Sequence, residues 1–279
     1  MKWPIFEDFR IIMRDRQLLE PEDAMRLARE RVAANGKPLY WSVVVDEAQD
    51  LSAQALKLLR TLVEEKKNDM FVVGDGHQRI YRKPVSLKSC GIVITGRSRK
   101  LRINYRTTEE IRKQAASYLQ GVSVDDLDGG ADGNGQYISL MHGPVPVQKK
   151  CTTFEERICF IAETVAQLAD AGINGKDICL TLTSNREIEL YEKALKELQV
   201  DTYRLAKGVS DNRTKPGIRI ATRHRVKGLE FTVVILGDSN STNSKDTSEE
   251  KDARERFLHY VSATRARQYL YIITQEDDN

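Results

Sequence analysis

The chain has 279 residues, of which 40% are hydrophobic and 30% charged, with a formal net charge of +3. That length accommodates one large domain or two ordinary ones, each able to close a core, and the composition is that of a globular protein. No apolar run approaches the roughly 18 residues a membrane helix needs, and the N-terminus alternates apolar and charged residues instead of building the uncharged core of a signal peptide, so a cytoplasmic address is the default expectation and no membrane partner is expected.

In chain order, helical spacing predicts a first helix over residues 5–16. A second runs through PEDAMRLARERVAAN, opened by Pro21 and stopped by Gly36. WSVVVD (41–46) reads as a strand buried on both faces, because its apolar run is β-branched and does not alternate. Ser52 is placed to cap a helix with Ala55, Leu58, Leu59, Leu62 and Val63 on one face. DMFVVGD (69–75) then reads as a second buried strand, which makes a βαβ unit of a parallel sheet with ligands expected at the carboxyl ends of its strands.

A short helix is expected around SLKSC, then an extended KLRI, then a helix from Thr107 to about Leu119. Residues 122–136 hold four Asp and four Gly with little apolar content and read as a surface loop. Their acid spacing lacks the alternate ligands and closing Glu of a calcium loop. Beyond them the alternation resumes: YISL, a helix from Phe154 to Asp170 with Thr153 and Glu156 as a capping box, DICLTLT, and a helix from Asn185 to Leu198. GIRIAT, FTVVILGD, a helix ending near Arg267, and YLYIIT complete it. The fold class is therefore α/β with parallel sheets, one partial unit to about residue 96 and one complete unit over 97–279.

Cys90, Cys151, Cys159 and Cys179 form no C-x-x-C pair and have no His at metal-ligand spacing, so buried free thiols are expected. The modest net charge hides two basic stretches. Residues 204–227 carry eight Lys or Arg against one Asp, and residues 96–106 carry five against none. Such stretches bind phosphates or form solvated faces.

The chemistry concentrates at VVVDEAQD (43–50), where a hydrophobic strand runs into Asp46, Glu47 and Asp50. A carboxylate at a sheet's ligand crevice is costly unless a cation or a donor pairs it, and a magnesium ion on a nucleotide is such a partner. An N-cap cluster for the helix at Ser52 is the competing structural reading.

DEAQD (46–50) resembles motif II of the UvrD/Rep-like superfamily 1 DNA helicases. GDGHQRIY (74–81) resembles their motif III, LRINYRTTEEI (101–111) motif IV, TRHRVKGLEF (222–231) motif V and YVSATRAR (260–267) motif VI, all in the family's order. The resemblance implies RecA-like P-loop NTPase sheets that hydrolyse ATP with Mg2+ at an inter-domain cleft to move on single-stranded DNA or a partial duplex, with 3′ to 5′ polarity. It implies that Asp46 and Glu47 hold the metal and handle the attacking water, that Gln78 senses the γ-phosphate, and that Tyr105 stacks on adenine. Arg106 and the finger-like Arg265 would reach the γ-phosphate, and Glu230 would accept from a ribose hydroxyl with Gly228 allowing close backbone approach. Tyr81, Arg82, Thr222, His224 and Lys227 would touch DNA.

The pattern departs from the family in one large respect. The phosphate-cradling loop G-x-x-x-x-G-K-S/T is not in this sequence, and the nearest lookalike, GINGKD (172–177), reads as a helix-to-strand turn. The expectation is a C-terminal portion of a longer helicase, partnered by the upstream half of its parent chain and inactive alone. Lys83-Pro84 stands where the family often has a Trp, and the interval between motifs IV and V is short for the large mobile insertion. The rival expectation is a non-catalytic helicase-like module that binds nucleic acid or protein. A helicase motor fused to an upstream nuclease is a third.

Overall fold

The computed structural model of the chain describes residues 3–80, 85–127, 130–132, 137–237 and 249–275. In chain order these form α1 (Trp3–Asp15), α2 (Pro21–Ala34), β1 (Val43–Val45), α3 (Ala53–Thr61), β2 (Met70–Val72), β3 (Ile103–Thr108), α4 (Glu109–Tyr118), β4 (Val124–Asp125) and β5 (Ala131–Asp132). They continue through β6 (Ile138–Met141), β7 (Val147–Cys151), α5 (Phe154–Asp170), β8 (Ile178–Leu182), α6 (Asn185–Glu197), β9 (Thr202–Arg204), β10 (Ile218–Thr222), β11 (Phe231–Gly237), α7 (Glu249–Ala263) and β12 (Ala266–Gln275). Two compact units result: Met1–Arg99 with Val124–Asp132, and Lys100–Ser123 with Gly133–Asn279.

In the first unit β1 and β2 pair in parallel around α3, the expected βαβ arrangement. The Ser52 hydroxyl accepts from the Ala55 N–H to cap α3 and donates to Glu22 of α2 at 2.8 Å. Leu56, Leu87, Cys90 and Ile92 form the core, with Met70 and Val72 packed against it. Burial on both faces does not hold. Val44 is 75% and Phe71 65% exposed, because side chains alternate along a strand and only the face bearing Val45, Met70 and Val72 is covered. The strands are also shorter than expected.

Residues 122–127 and 130–132 are more than a surface loop, and the rest of the predicted loop lies outside the described residues. β4 and β5 pair antiparallel, Val124 is buried, and the Leu127 carbonyl accepts from the Leu87 N–H at 3.2 Å within the first unit. Acid-rich composition predicted solvent, but two apolar residues, Val124 and Leu127, and one paired acid, Asp125, dock the segment.

The second unit is built on six parallel strands in the order β7-β12-β11-β8-β10-β9. One face of alternating residues, including Ile178, Leu180, Val233 and Ile235, packs with Ile161, Ile188 and Leu195 of α5 and α6. The other, including Cys179, Val234 and Leu236, packs with Ile111 and Ala115 of α4 and Ala263 of α7. Both faces are covered, so the strands are apolar without alternation, as a parallel sheet requires. The edge strands β7 and β9, VQKKC and TYR, went unpredicted because they carry no apolar run. A separate parallel pair joins β3 and β6.

Smaller differences follow from local chemistry. The N-cap of α4 is Thr108, one residue later than expected. Thr153 does cap α5, but Glu156 returns to the N–H and hydroxyl of Thr152, so the reciprocal half of the box is displaced by one residue. A complete capping box occurs instead at Ser184 and Glu187 of α6. α7 stops at Ala263 and leaves Arg265 beyond its end. Cys90, Cys151 and Cys179 are buried free thiols as expected, whereas Cys159 is exposed on the outer side of α5. GINGKD is a turn entering β8, with Gly172 at φ +83°.

Candidate functional site

β1 delivers Asp46 and Glu47 to its carboxyl end, where both are exposed. Glu47 takes a left-handed conformation at φ 53°, and its N–H donates to the Asp46 carboxylate at 2.8 Å. The turn that follows is held by the Ala48 N–H on the Val73 carbonyl, 3.0 Å. Beneath the acids lies Gln49, 2% exposed, whose side-chain amide is engaged at both ends: Nε2 donates to the Glu47 carboxylate and Oε1 accepts from the Asp75 N–H at 2.9 Å.

β2 delivers the second half of this constellation. Asp75 accepts from the His77 N–H at 2.9 Å and from Gln78 Nε2 at 2.8 Å. Burial opposes ionisation of Asp75, but the bonds from His77 and Gln78 outweigh it and hold its carboxyl below the usual range. Asp46, Glu47 and Gln78 are thus brought to one rim of the first unit, with Gln49 buried beneath them and Asp75, its side chain 41% exposed, bonded to Gln78. Gln49 is within the DEAQD motif and Asp75 within GDGHQ; both were legible in sequence as motif positions but not as the residues that orient their neighbours. Tyr81 and Arg82 lie outside the described residues.

A divalent cation suits this rim in one respect. Asp46 is exposed and uses Oδ1 on a neighbouring N–H, which is compatible with a hydrated magnesium ion held by one carboxylate. Among the described residues no group of three or more His, Cys, Asp or Glu gathers as a metal cage, so most ligands would have to come from nucleotide phosphates and water.

In the second unit, Tyr105 on β3 is 69% exposed and Arg106 beside it forms an ion pair with Glu230, Nε to Oε1 2.7 Å. The bend that presents them is fixed by Asn104, whose Oδ1 accepts from the Arg106 N–H at 2.7 Å and whose Nδ2 donates to Thr107 Oγ1 at 2.8 Å. Glu230 immediately precedes β11 and Arg265 immediately precedes β12, and the Phe231 N–H donates to the Arg265 carbonyl at 3.0 Å. The Arg265 guanidinium is not presented to solvent. It is 2% exposed, with Nε on the Val261 carbonyl at 3.0 Å and Nη2 on Thr264 Oγ1 at 3.2 Å. Gly228 has φ +79° and open space where a Cβ would stand, so glycine is required there by conformation, and the space leaves room for close approach.

Thr222 and His224 are at the other edge of the same sheet. Thr222 closes β10 at the carboxyl edge, while Glu230 and Arg265 lie at the amino edge, so residues 223–230 cross the sheet between two separate groups. Of the predicted site residues, Asp46 and Thr222 thus stand at the carboxyl ends of their strands and Glu230 at an amino end. Buried Arg223 fastens the carboxyl edge, donating to the Gly237 carbonyl at 2.9 Å and pairing with Glu255 at 3.4 Å. Burial lowers the pKa of His224, and nearby Arg254 adds to the effect. Lys227 is partly buried between the two edges.

The basic stretch 204–227 is largely engaged in internal bonding. Arg204 pairs with Glu189, Arg213 with Asp177, Arg219 with Asp211 and Arg223 with Glu255, while Arg225 donates to the carbonyls of Ala206 and Val209. Composition predicted a phosphate-binding or solvated face; most of its guanidinium groups instead tie loops to the sheet.

Two family models match the chain: the UvrD/REP helicase N-terminal domain over residues 10–83 and the UvrD-like helicase C-terminal domain over residues 202–277. The molecule is a mixed α/β protein with parallel sheets whose matched stretches contain Asp46, Glu47 and Gln78 in one and Thr222, His224, Glu230 and Arg265 in the other. Both matched models describe UvrD/Rep-like helicase domains. Among curated proteins it is 24% identical over 243 residues to a "Probable DNA helicase" of Mycoplasma pneumoniae, covering 83% of this chain and 43% of that protein. It is 25% identical over 243 residues to a "Putative ATP-dependent DNA helicase R568" of Acanthamoeba polyphaga mimivirus, covering 82% of this chain and 34% of the relative. The chain thus spans less than half the length of either curated relative. A solved structure, the C-terminal domain of a possible DNA helicase from Lactobacillus plantarum, matches with a TM-score of 0.46 at 22% identity, covering 62% of this chain and 88% of that one. No helix among the described residues is long and apolar enough to cross a membrane.

Proposed function

We propose that this chain is part of an ATP-dependent DNA helicase or translocase, RecA-like in both units, that converts ATP hydrolysis into movement along single-stranded DNA, with 3′ to 5′ polarity by resemblance. The observation that carries the reading is the rim of the first unit, where Asp46, Glu47 and Gln78 converge at the carboxyl ends of β1 and β2 over an ordered hydrogen-bond layer.

Each unit contributes different chemistry in this reading. Asp46 would hold Mg2+, and Glu47 would take the proton of the attacking water. Mg2+ bound with ATP neutralises phosphate charge. Gln78, with its amide nitrogen on Asp75, is oriented to sense the γ-phosphate. In the second unit Tyr105 offers an exposed ring for adenine, and Arg106 and Glu230 exchange their mutual bond for bonds to phosphate and ribose. Arg265 turns out of the interior and leaves its bonds to Val261 and Thr264 to act as a finger, since at 2% exposure its guanidinium does not reach a phosphate in solvent. Thr222, His224 and Lys227, with Tyr81 and Arg82, meet the DNA. The phosphate-cradling loop is supplied by further sequence of a longer protein.

The experiment is DNA-stimulated ATP hydrolysis by the longest natural protein that contains this chain, compared with Glu47→Gln and Arg265→Ala. Loss of at least a hundredfold in both supports the motor; equal rates in all three remove it. A second reading, a non-catalytic binding module, is favoured by the burial of Arg265 and the pairing of Arg106 with Glu230. It predicts single-strand binding without nucleotide turnover. Binding that weakens steeply with salt marks a nucleic-acid surface, whereas a flat response points to a protein partner.

A further inference from the structure

Two glycines in GDGHQ, Gly74 and Gly76, are absent from the residues with positive φ, so a left-handed backbone does not explain them. Space does. A Cβ on Gly76 would stand 2.0 Å from the Asp125 carbonyl oxygen, and one on Gly74 would stand 2.7 Å from Leu127 Cδ1 and 3.0 Å from Gln49 Oε1. The turn that carries Gln78 is therefore shaped to receive residues 124–127, which rejoin the first unit after the chain has passed through Lys100–Ser123 in the second.

What the returning segment brings is a carboxylate. Asp125 pairs with Arg79, whose side chain is 7% exposed, and the same guanidinium donates through Nε to the Gln49 backbone carbonyl at 3.3 Å. Gln49 in turn donates to Glu47 and accepts from Asp75. A continuous polar relay runs Asp125, Arg79, Gln49, Glu47 through an interior where Gln49 and Arg79 are 2% and 8% exposed. Water competes poorly there, so each bond constrains the next strongly. A buried guanidinium deprived of its carboxylate is driven to leave the interior, and it would take with it the bond that fixes Gln49.

We propose that Asp125 is a positioning residue for the Glu47 carboxylate, acting through Arg79 and Gln49. Its carboxylate meets Arg79 and the Leu127 N–H. The proposal deepens the motor reading by adding a residue 78 positions downstream of the one it orients, and it rests on that reading only for what Glu47 does.

The test reads the relay directly in the full chain, by the NMR signals of the Gln49 side-chain NH2 pair in 15N-labelled protein. In Asp125→Asn the pair should move toward the position of a solvated amide, and its hydrogen exchange should quicken at least tenfold, while Asp125→Glu retains the native signals. Unchanged Gln49 signals in Asp125→Asn overturn the proposal. So does an exchange increase spread equally over the α3 core amides, because that outcome is simple loosening. Should Asp125→Asn fail to fold, Arg79→Lys keeps a cation for Asp125 and loses the guanidinium fork; it should release Gln49 in the same way, and an undisturbed Gln49 again sinks the idea. None of these readouts uses ATP, so their failure leaves the motor reading standing, and failure of ATP turnover in Glu47→Gln comparisons leaves the relay standing.

Discussion

Arg106 and Glu230 close an ion pair at 2.7 Å between β3 and the residue that leads into β11, although the two were read as reaching separately for phosphate and ribose. Both side chains are close to half exposed, at 45% and 40%. Water and salt screen such pairs, and they are worth at most about 1 kcal/mol. A double-mutant cycle on Arg106→Ala and Glu230→Ala in urea should therefore give a coupling below about 1 kcal/mol, shrinking further at high salt. A larger coupling would mean that the pair is structural and not available for exchange with a ligand.

Arg219 is the opposite case. It is fully buried, bonded to Asp211 at 3.0 Å and to the carbonyls of Asn212, Lys215 and Gly217, and it lies over the Tyr203 ring at 4.9 Å. Arg219→Ala leaves three carbonyls without their donor and Asp211 with only the longer bond from Arg213 at 3.5 Å, and should cost about 3–5 kcal/mol in equilibrium unfolding. Arg213→Ala nearby, with its side chain 48% exposed, should cost under about 1 kcal/mol.

Glu109 governs acid stability of the second unit. Bonds from Arg112 chiefly, and from the Ser139 N–H, outweigh burial and hold its carboxyl at about 2 from an ordinary 4.5. Above pH 4.5 it is ionised folded or unfolded, and its contribution is complete. As pH falls toward 2 the unfolded chain takes up the proton first, and that contribution is lost. Glu110, also held at about 2 chiefly by His142, acts in the same direction. Unfolding midpoints measured across this window should fall with pH in the native protein and fall less in Glu109→Gln.

Gly76→Ala should be destabilising by about 1–3 kcal/mol, because the Asp125 carbonyl must move and a backbone group yields little. Gly36→Ala meets nothing within 4 Å and bears only the cost of a left-handed φ of +64°, about 1 kcal/mol. Thermal unfolding of the two variants ranks the terms: a Gly76→Ala protein as stable as the native one would show that residues 124–127 do not pack on the turn.

Much of the second unit was legible. Its strands are apolar without alternation because both faces of the six-stranded sheet are covered, and its helices announce themselves by caps such as Ser184. The first unit misled for the same pattern. VVV and MFV read identically to buried strands, but burial depends on what lies over each face, which a strand's own residues do not encode. The acids and Gln78 were visible as motif residues, whereas Asp125 carried no signal: an Asp in an Asp-rich, Gly-rich stretch looks like solvent until the chain's path brings it to Arg79.

Sequence alone determined the order of the helices and the apolar strands, the candidate acids and arginines, and the resemblance to the UvrD/Rep-like helicases, because these are properties of residues close together along the chain. Only the tertiary structure decided that Arg265 is buried, that Arg106 is paired, that the arginines of the basic stretch bond within the chain, and that Asp125 returns to pair with Arg79. Burial and pairing are set by which distant groups meet, and the free energy of a charge depends on those neighbours far more than on its own kind.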